Sequence, residues 1–294
     1  MIGVDWGTTS FRAFRITREG TIRDSRAGPR GIMNVPDARF ADTLREEIGP
    51  WLAAGEHHVL LSGMVGSRQG WKEAPYLPCP AGAPEIAAAL VDIEFDWAQV
   101  KLVPGLSATD EAGIAEVMRG EETQVVGVLD ALGGSGLACL PGTHSIWVRV
   151  EARRITGFTT QMTGEVFGAL RGHTILARMM REGPADGAPF DQGVRRSGDA
   201  GGLLHHVFGV RALTLAGRLA ETDSAAYLSG ILIGHEVRAA LSGQHGTVVH
   251  VIGGPELTAL YARAISACGG FPERHDGEAA ARGLALIGEH AAWT

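Results

Sequence analysis

The sequence predicts an α/β protein in two halves, each a mixed or parallel sheet covered by helices. Three observations predict it. Short apolar runs of strand length alternate with segments of helical periodicity along the whole chain. Two strand–turn–strand elements, one opening each half, carry a Gly-Thr pair in the turn: Gly7-Thr8 and Gly142-Thr143. A chain of 294 residues, 45% of them hydrophobic, can bury one large core or two medium ones. Chains of this size commonly divide, so two lobes are expected, 1–130 and 131–294, packed face to face around a cleft. The last helix is expected to return to the first lobe.

The elements follow in order. Ile2 to Ile16 reads as two strands around Gly7-Thr8-Thr9-Ser10, with Ile2 and Val4 apolar on one arm and Phe11, Ala13 and Phe14 on the other. A third strand is expected near Thr21 to Arg26. Phe40, Leu44, Ile48 and Leu52 recur at helical spacing and predict a helix over 38–55. Val59-Leu60-Leu61 is a short buried strand. The stretch 63–84 is rich in Gly and Pro and reads as a long irregular loop, a place where function concentrates. A short helix from Pro84 to Val91, a strand at Lys101-Leu102-Val103 and a helix at 121–132 complete the first half.

Leu137 to Val150 is the second strand–turn–strand element, around Pro141-Gly142-Thr143-His144. A helix over 163–182 precedes a polar, Gly/Pro-rich stretch at 183–200, read as a surface excursion. Helices are expected at 201–220 and 223–241, a strand from Thr247 to Ile252, and helices at 256–267 and 277–291.

Composition excludes several classes. The formal net charge is −7 and no Lys/Arg-rich run occurs, which argues against nucleic acid as a partner. Cys79, Cys139 and Cys268 lie far apart without a C-x-x-C pair, so neither a zinc site nor a disulfide framework is expected, and free thiols suit a reducing compartment. The eleven histidines include no H-E-x-x-H arrangement. Met1-Ile2-Gly3-Val4-Asp5 enters a strand at once, and no run of 18 apolar residues occurs. The expectation is a cytoplasmic protein without a membrane partner.

Four motifs carry chemistry. In Asp5-Trp6-Gly7-Thr8-Thr9-Ser10, an acid ends a buried strand, a costly position unless the acid is paired or holds a metal. Gly7, Thr8 and Thr9 suit a turn that wraps phosphate oxygens with backbone N–H groups and hydroxyls, with Asp5 holding Mg²⁺ directly or through water. An ordinary polar hairpin turn accounts for the same residues. Pro141-Gly142-Thr143-His144-Ser145 repeats the glycine–hydroxyl chemistry, and the two turns together could clamp a triphosphate from both sides. Val249 to Pro255 is an apolar strand running into Gly253-Gly254, where a ligand can approach the backbone closely; a plain strand-to-helix turn gives the same pattern. Met118-Arg119-Gly120-Glu121-Glu122-Thr123-Gln124 sets an arginine and two acids before a helix. A carboxylate there could accept a proton from an attacking hydroxyl, or simply favour the helix dipole.

This order of motifs resembles the actin-like ATPase superfamily, whose sugar kinases share a ribonuclease H-like, two-lobed fold with an interdomain ATP cleft. The resemblance implies that these segments are the first phosphate turn, the catalytic acid, the second phosphate turn and the adenosine segment. Glu121 lies about as far before Gly142 as the catalytic Asp of the glycerol-kinase branch lies before its second phosphate turn. Two departures stand out: a Glu replaces the Asp, and the second turn lacks its usual acid. More specifically the chain resembles the 2-dehydro-3-deoxygalactonokinases. Val4 to Thr9, Ser62 to Ser67, Gly70 to Tyr76, Met118 to Gln124, Leu140 to His144, Met162 to Glu165 and Leu228 to Gly234 carry that resemblance, in order, over nearly the whole chain.

The resemblance implies phosphoryl transfer from ATP, with Mg²⁺, to the 6-hydroxyl of 2-dehydro-3-deoxy-D-galactonate in galactonate breakdown. On this reading Asp5 positions Mg²⁺, while Gly7, Thr8, Thr9, Gly142 and Thr143 hold phosphate oxygens. Gly253 and Gly254 lie against the adenosine. Glu121, or its neighbour Glu122, acts as base, and Arg119 meets phosphate charge. The substrate carboxylate needs a cation or backbone donors, with Lys72, Arg68 and Arg12 as candidates. Ser67, Trp71 and Tyr76 are candidates for hydroxyl or stacking contacts. A kinase for another sugar acid, such as the gluconate-type epimer, a non-catalytic ATP-binding sensor of the same fold, and a hydrolase using the Glu pair are the rival readings. A homodimer is the assembly considered.

Overall fold

The computed structural model describes residues 1–17, 20–110, 112–244 and 246–293. The chain forms two compact units. The first comprises Met1–Ser135, Val148–Phe158 and the segment from Gly277 onward; the second comprises Gly136–Trp147 and Thr159–Asp276. A single cut near residue 130 does not describe this division, because the chain crosses between the units four times.

In the first unit, β1 (Ile2–Trp6), β2 (Phe11–Ile16) and β3 (Ile22–Gly28) form an antiparallel meander. Helix α1 (Phe40–Ala53) leads to β4 (His58–Ser62), which lies parallel to β1 with Asp5 opposite Ser62. After β5 (Tyr76–Pro78) and α2 (Ala83–Ala88) come β6 (Val91–Ile93) and β7 (Gln99–Leu102). They complete a sheet of order β3-β2-β1-β4-β7-β6. Next, β8 (Gly105–Thr109) and β9 (Ala115–Met118) join β5 in a small sheet, and α3 (Glu121–Val126) follows.

The alternation of β1 explains its place. Ile2, Val4 and Trp6 turn to one face and are fully buried with Leu44, Ile48 and Trp51 of α1. Gly3 turns to the other face, where Leu284 approaches so closely that an added Cβ would lie 2.9 Å from its Cδ1. That leucine belongs to α9 (Ala279–His290), so the last helix packs on the first sheet.

In the second unit, β10 (Gly136–Leu140), β11 (Ser145–Glu151), β12 (Arg154–Gln161), β13 (Val248–Ile252) and β14 (Phe271–His275) form a sheet of order β12-β11-β10-β13-β14. Strand β13 runs parallel to β10 and to β14. Helices α4 (Thr163–His173), α5 (Ala188–Arg196), α6 (Gly202–Leu215), α7 (Ser224–Ala240) and α8 (Pro255–Ala267) belong to this unit. Cys139, Val249 and Val251 of the sheet pack with Ile233 and Val237 of α7 and with Leu260, Ala264 and Ile265 of α8.

Several sequence expectations are corrected here. The helix expected at 121–132 ends at Val126, and the one expected at 163–182 ends at His173. The irregular stretch 63–84 contains the strand β5. The stretch 183–200 is not an excursion: it contains α5, whose Phe190 and Val194 are buried against α7. Strands β6, β8, β9, β12 and β14 were not anticipated. Each is short, edge-placed or half-exposed, so its burial pattern is weak.

Candidate active site

Each unit carries one half of the predicted machinery. In the first unit the chemistry gathers where β1 and β4 end. The turn after β1 closes with Gly7 N–H donating to the Ser10 carbonyl at 2.9 Å. The backbone of Ile32 and Met33 donates to the carbonyls of Gly7 and Thr8, at 3.0 and 3.1 Å, so the loop at 29–33 braces the turn from outside. Trp6 Nε1 fixes the same loop by donating to the Arg30 carbonyl at 2.8 Å. The side chains of Thr8 and Thr9 remain exposed.

Asp5 is ion-paired through Oδ2 with Arg12, whose other nitrogen donates to the Gly277 carbonyl at 3.2 Å. The other oxygen, Oδ1, faces Gly63. Gly63 adopts φ 96° and ψ −155°, a conformation open essentially to glycine. A Cβ there would lie 2.8 Å from the Trp6 carbonyl oxygen and 3.3 Å from Asp5 Oδ1. Gly120, at φ 105°, packs in turn on Gly63, so a Cβ on it would lie 3.1 Å from the Gly63 Cα. Two side-chain-free residues thus let the start of α3 reach the end of β1, and this brings the two acids of α3 to the vicinity of Asp5.

Those acids differ sharply. Glu122 is fully buried, at 0% exposure. Its Oε2 accepts from Gly120 N–H at 2.7 Å; its Oε1 accepts from the Thr123 hydroxyl at 3.0 Å and the Ser62 hydroxyl at 3.5 Å. Burial, helped by the neighbouring charge of Glu121, pushes its pKa up to about 8 against these hydrogen bonds. Glu121 is half-exposed and accepts from Arg119 N–H at 3.1 Å. Of the two, Glu121 is the acid that a dissolved molecule can touch.

Arg119 is 8% exposed. Its Nη2 donates to the Ala74 carbonyl at 2.8 Å, and its guanidinium lies over the Tyr76 ring, 4.5 Å from the centroid. Among the described residues its Nε and Nη1 have no hydrogen-bond partner, and neither does the buried hydroxyl of Ser67. Arg119 Nη1 sits beside Gly66, whose Cβ, if present, would lie 3.0 Å from it. Unspent buried donors are uncommon and mark a place prepared for an acceptor.

The remaining predicted residues of the 63–84 stretch do not join this cluster. Arg68 is 87% exposed and faces Glu73. Lys72 Nζ donates to the Asp92 carbonyl at 2.8 Å. Trp71 stacks on Phe40 and meets Phe95 edge-on, as part of the core.

The second unit brings together its own set. The turn Gly142-Thr143 meets the start of α4: Glu165 N–H donates to the Thr143 carbonyl at 2.9 Å, and the side chain of Glu165 bonds His144 Nε2 at 2.5 Å. Gly164 makes this approach possible, because a Cβ there would lie 2.4 Å from the Gly142 carbonyl oxygen. Gly253 lies near the same turn, with its would-be Cβ 3.7 Å from the Pro141 carbonyl oxygen. Gly254 caps α8. Beside them opens a cavity of about 230 Å³, lined by Gly142, Thr163, Gly164 and Phe167 near the turn, Ser229 and Ile233 of α7, and Glu256, Leu257 and Tyr261 of α8. Its walls are largely apolar with a few polar groups, the usual character of a small-molecule site.

A buried network supports that cavity. The Tyr261 hydroxyl donates to Glu236 at 2.7 Å and is 2.5 Å from the Ser145 hydroxyl; Trp147 Nε1 donates to the other oxygen of Glu236 at 2.8 Å. Burial raises the Glu236 pKa, opposed by these hydrogen bonds. Sequence reasoning missed Ser62, Gly63, Gly120, Thr123, Gly164, Glu236 and Tyr261 as site residues. Ser62, Gly63, Gly120, Thr123 and Gly164 stood inside the phrases that carry the family resemblance, which was the signal available.

Comparison with known proteins places the whole chain. The model of the family described as 2-keto-3-deoxy-galactonokinase matches residues 5–287. A Rhizobium meliloti (strain 1021) protein named as a probable 2-dehydro-3-deoxygalactonokinase is 38% identical over 300 residues, covering 99% of this chain and 96% of that one. The 2-dehydro-3-deoxygalactonokinase of Escherichia coli (strain K12) is 34% identical over 273 residues, covering 91% and 90%. The crystal structure of a candidate 2-dehydro-3-deoxygalactonokinase of Sinorhizobium meliloti superposes with a TM-score of 0.88 at 36% identity over 97% of each chain. More remotely, a Clostridium difficile 2-hydroxyisocaproyl-CoA dehydratase activator with bound ADPNP shares the fold, at TM-score 0.52, 12% identity and coverage of 99% and 95%. The fold is the one shared with these two solved structures. With a family model spanning nearly its whole length and two relatives above 30% identity, the chain belongs to the 2-keto-3-deoxy-galactonokinase family.

Proposed function

We propose that this chain is an ATP-dependent kinase that phosphorylates the 6-hydroxyl of 2-dehydro-3-deoxy-D-galactonate, giving 2-dehydro-3-deoxy-6-phosphogalactonate and ADP in galactonate breakdown. The family match over residues 5–287 carries the reading. The gathering of Asp5, Glu121 and Arg119 at one end of the first sheet supports it, as does the cavity beside the second Gly-Thr turn.

Phosphoryl transfer needs positioning and charge neutralisation more than covalent help from the protein. In this reading Glu121 accepts the proton of the 6-hydroxyl as its oxygen bonds to the γ-phosphorus, and the bond from that phosphorus to ADP breaks. In the first unit Thr8 and Thr9 offer donors to phosphate oxygens, and in the second unit Gly142 and Thr143 offer donors of the same kind. Gly253 and Gly254 border the adenosine, which occupies the apolar cavity. Asp5 fits a hydrated Mg²⁺ through Oδ1, the oxygen that faces the side-chain-free Gly63, while Arg12 holds Oδ2 in place. When bound, that ion supplies charge neutralisation on the phosphates.

The substrate carboxylate is assigned to Arg119 rather than to Lys72, Arg68 or Arg12. Those three are spent on a backbone carbonyl, exposed against Glu73, or paired with Asp5. Arg119 retains two buried N–H donors, with its guanidinium over Tyr76, that have no hydrogen-bond partner among the described residues. A buried guanidinium with unspent donors gains more from a carboxylate than a hydrated surface cation does. A coupled assay of ADP release on the galactonate-type acid and its gluconate-type epimer tests the reading. ADP formed with the first acid in preference to the second is the expected result; no acid-dependent ADP with either overturns it.

A further inference from the structure

We propose that His250, Glu273 and His275 form a binding site for one divalent transition-metal ion, Zn²⁺ by the nature of its donors, in the second unit. The inference is independent of the kinase reading. Its basis is strand register. β13 and β14 run parallel with His250 opposite Glu273 and Ile252 opposite His275. Residues two apart on a strand share a face, so Glu273 and His275 point to the same side of β14. His250 meets them from the neighbouring strand.

The distances suit an ion. His250 Nδ1 lies 2.9 Å from His275 Nε2 and 3.6 Å from Glu273 Oε2, and all three donor atoms lie within 4.8 Å of one another. Tetrahedral Zn²⁺ with bonds of about 2.0–2.1 Å spaces its ligand atoms by roughly 3.3–3.4 Å. The edges of 2.9 and 3.6 Å bracket that value. Two imidazoles and one carboxylate, with a water in the fourth position, are an established donor set for zinc. Glu273 is 58% exposed, so that fourth position has access to solvent.

A hydrogen bond between imidazoles would by itself bring two histidines to 2.9 Å. The molecule contains such a pair for comparison. His206 Nδ1 and His235 Nε2 also stand 2.9 Å apart, but His206 Nε2 is bonded to the Ala200 carbonyl and no carboxylate completes a metal-ligand group with them among the described residues. At His250 the carboxylate is present. Binding is balanced without any co-reactant. Each imidazole turns a lone pair to the ion, the proton now shared between Nδ1 and Nε2 resides on the other nitrogen of its ring, and the ion sheds the waters of its aqueous shell except the one in the fourth position.

The consequence is mechanical. β14 is the edge strand of its sheet, tied to α8 through Arg274, which donates to Thr258 Oγ1 at 3.0 Å and to the Pro255 carbonyl at 2.8 Å. An ion bridging β13 and β14 clamps that edge.

The test uses the full chain, stripped with a chelator and titrated with Co²⁺, whose visible absorption reports tetrahedral coordination, followed by displacement with Zn²⁺. The expected result is one ion per chain with a tetrahedral spectrum, and a rise in Tm on adding Zn²⁺. His250→Ala and His275→Ala should abolish the spectrum, and Glu273→Gln should weaken binding at least about tenfold. His235→Ala, at the comparison pair, should leave it unchanged. Melting of the metal-free variants separates loss of a ligand from loss of the fold. If a histidine variant does not fold, Glu273→Gln, at an exposed position, still decides. An octahedral spectrum, or undiminished binding in Glu273→Gln, overturns the proposal.

Discussion

Replacing Glu122 by Gln should make the protein more stable at neutral pH and flatten its loss of stability with pH. The carboxyl is fully buried and its pKa in the folded chain stands at about 8, through burial first and the Glu121 charge second. In the unfolded chain it titrates at about 4.3. Between those values the unfolded chain has released the proton and the folded chain retains it. Unfolding therefore releases a proton, and stability falls as pH rises through the interval, by about 1.4 kcal/mol per pH unit from this one group. Between pH 5 and pH 7.5 the loss is about 3 kcal/mol, a large share of the 5–15 kcal/mol typical of a domain. Gln is neutral throughout and of nearly the same shape. Its carbonyl can still accept from Gly120 N–H, and its amide can donate to the oxygens of Ser62 and Thr123. Urea unfolding followed by Trp fluorescence at a series of pH values measures the difference between variant and parent, in which titrations elsewhere cancel. That difference should grow by about 3 kcal/mol in favour of the variant from pH 5 to pH 7.5, with unchanged m. Parallel curves would refute the argument that this carboxyl is held protonated by burial.

Glu121→Gln should retain ATP binding and lower kcat by about 10²–10⁴-fold, the usual worth of a general base; if Glu122→Gln is the damaging change in a steady-state assay, the two acids exchange roles. Arg119→Lys should raise KM for the sugar acid by roughly thirtyfold, the equivalent of about 2 kcal/mol for a charged hydrogen bond, while KM for ATP stays within about twofold. Gly164→Ala should act on the nucleotide side: its Cβ would fall 2.4 Å from the Gly142 carbonyl oxygen, so isothermal titration should show weakened ATP binding with little change for the sugar acid. Tyr261→Phe strips Glu236 and Ser145 of a buried partner and should cost about 1–3 kcal/mol in urea unfolding.

Much of this molecule was readable along the chain where burial and local pattern coincide. The meander at the start, β4, α1, and the order from α6 to α9 follow from apolar spacing, because both faces of β1 and one face of α1 are buried and leave a strong periodic signal. β14 left none: Phe271 is exposed, and its strand pairs on one side only, with β13. α5 hid for the opposite reason. Its segment is polar overall, and Phe190, Gly193 and Val194 are its buried residues.

The candidate site shows the same division. Residue chemistry marked Asp5, the two Gly-Thr turns and the Glu pair from sequence alone, since acids at strand ends and glycine–hydroxyl turns are conspicuous locally. It could not separate Glu121 from Glu122, adjacent in sequence and alike in type. Their difference arises from the rotation of about 100° between neighbours on a helix, which sends one carboxyl among Ser62, Thr123 and Gly120 and leaves the other half-exposed. Nor could it rank Arg119 above Lys72, Arg68 and Arg12, because a cation's worth to a ligand depends on which donors the fold has already used. Sequence determined which groups are available and roughly where the backbone turns. Tertiary structure decided which of them are desolvated and unspent, since burial and hydrogen-bond partnership are set by residues as distant in the chain as Ser62 from Glu122 or Tyr261 from Ser145.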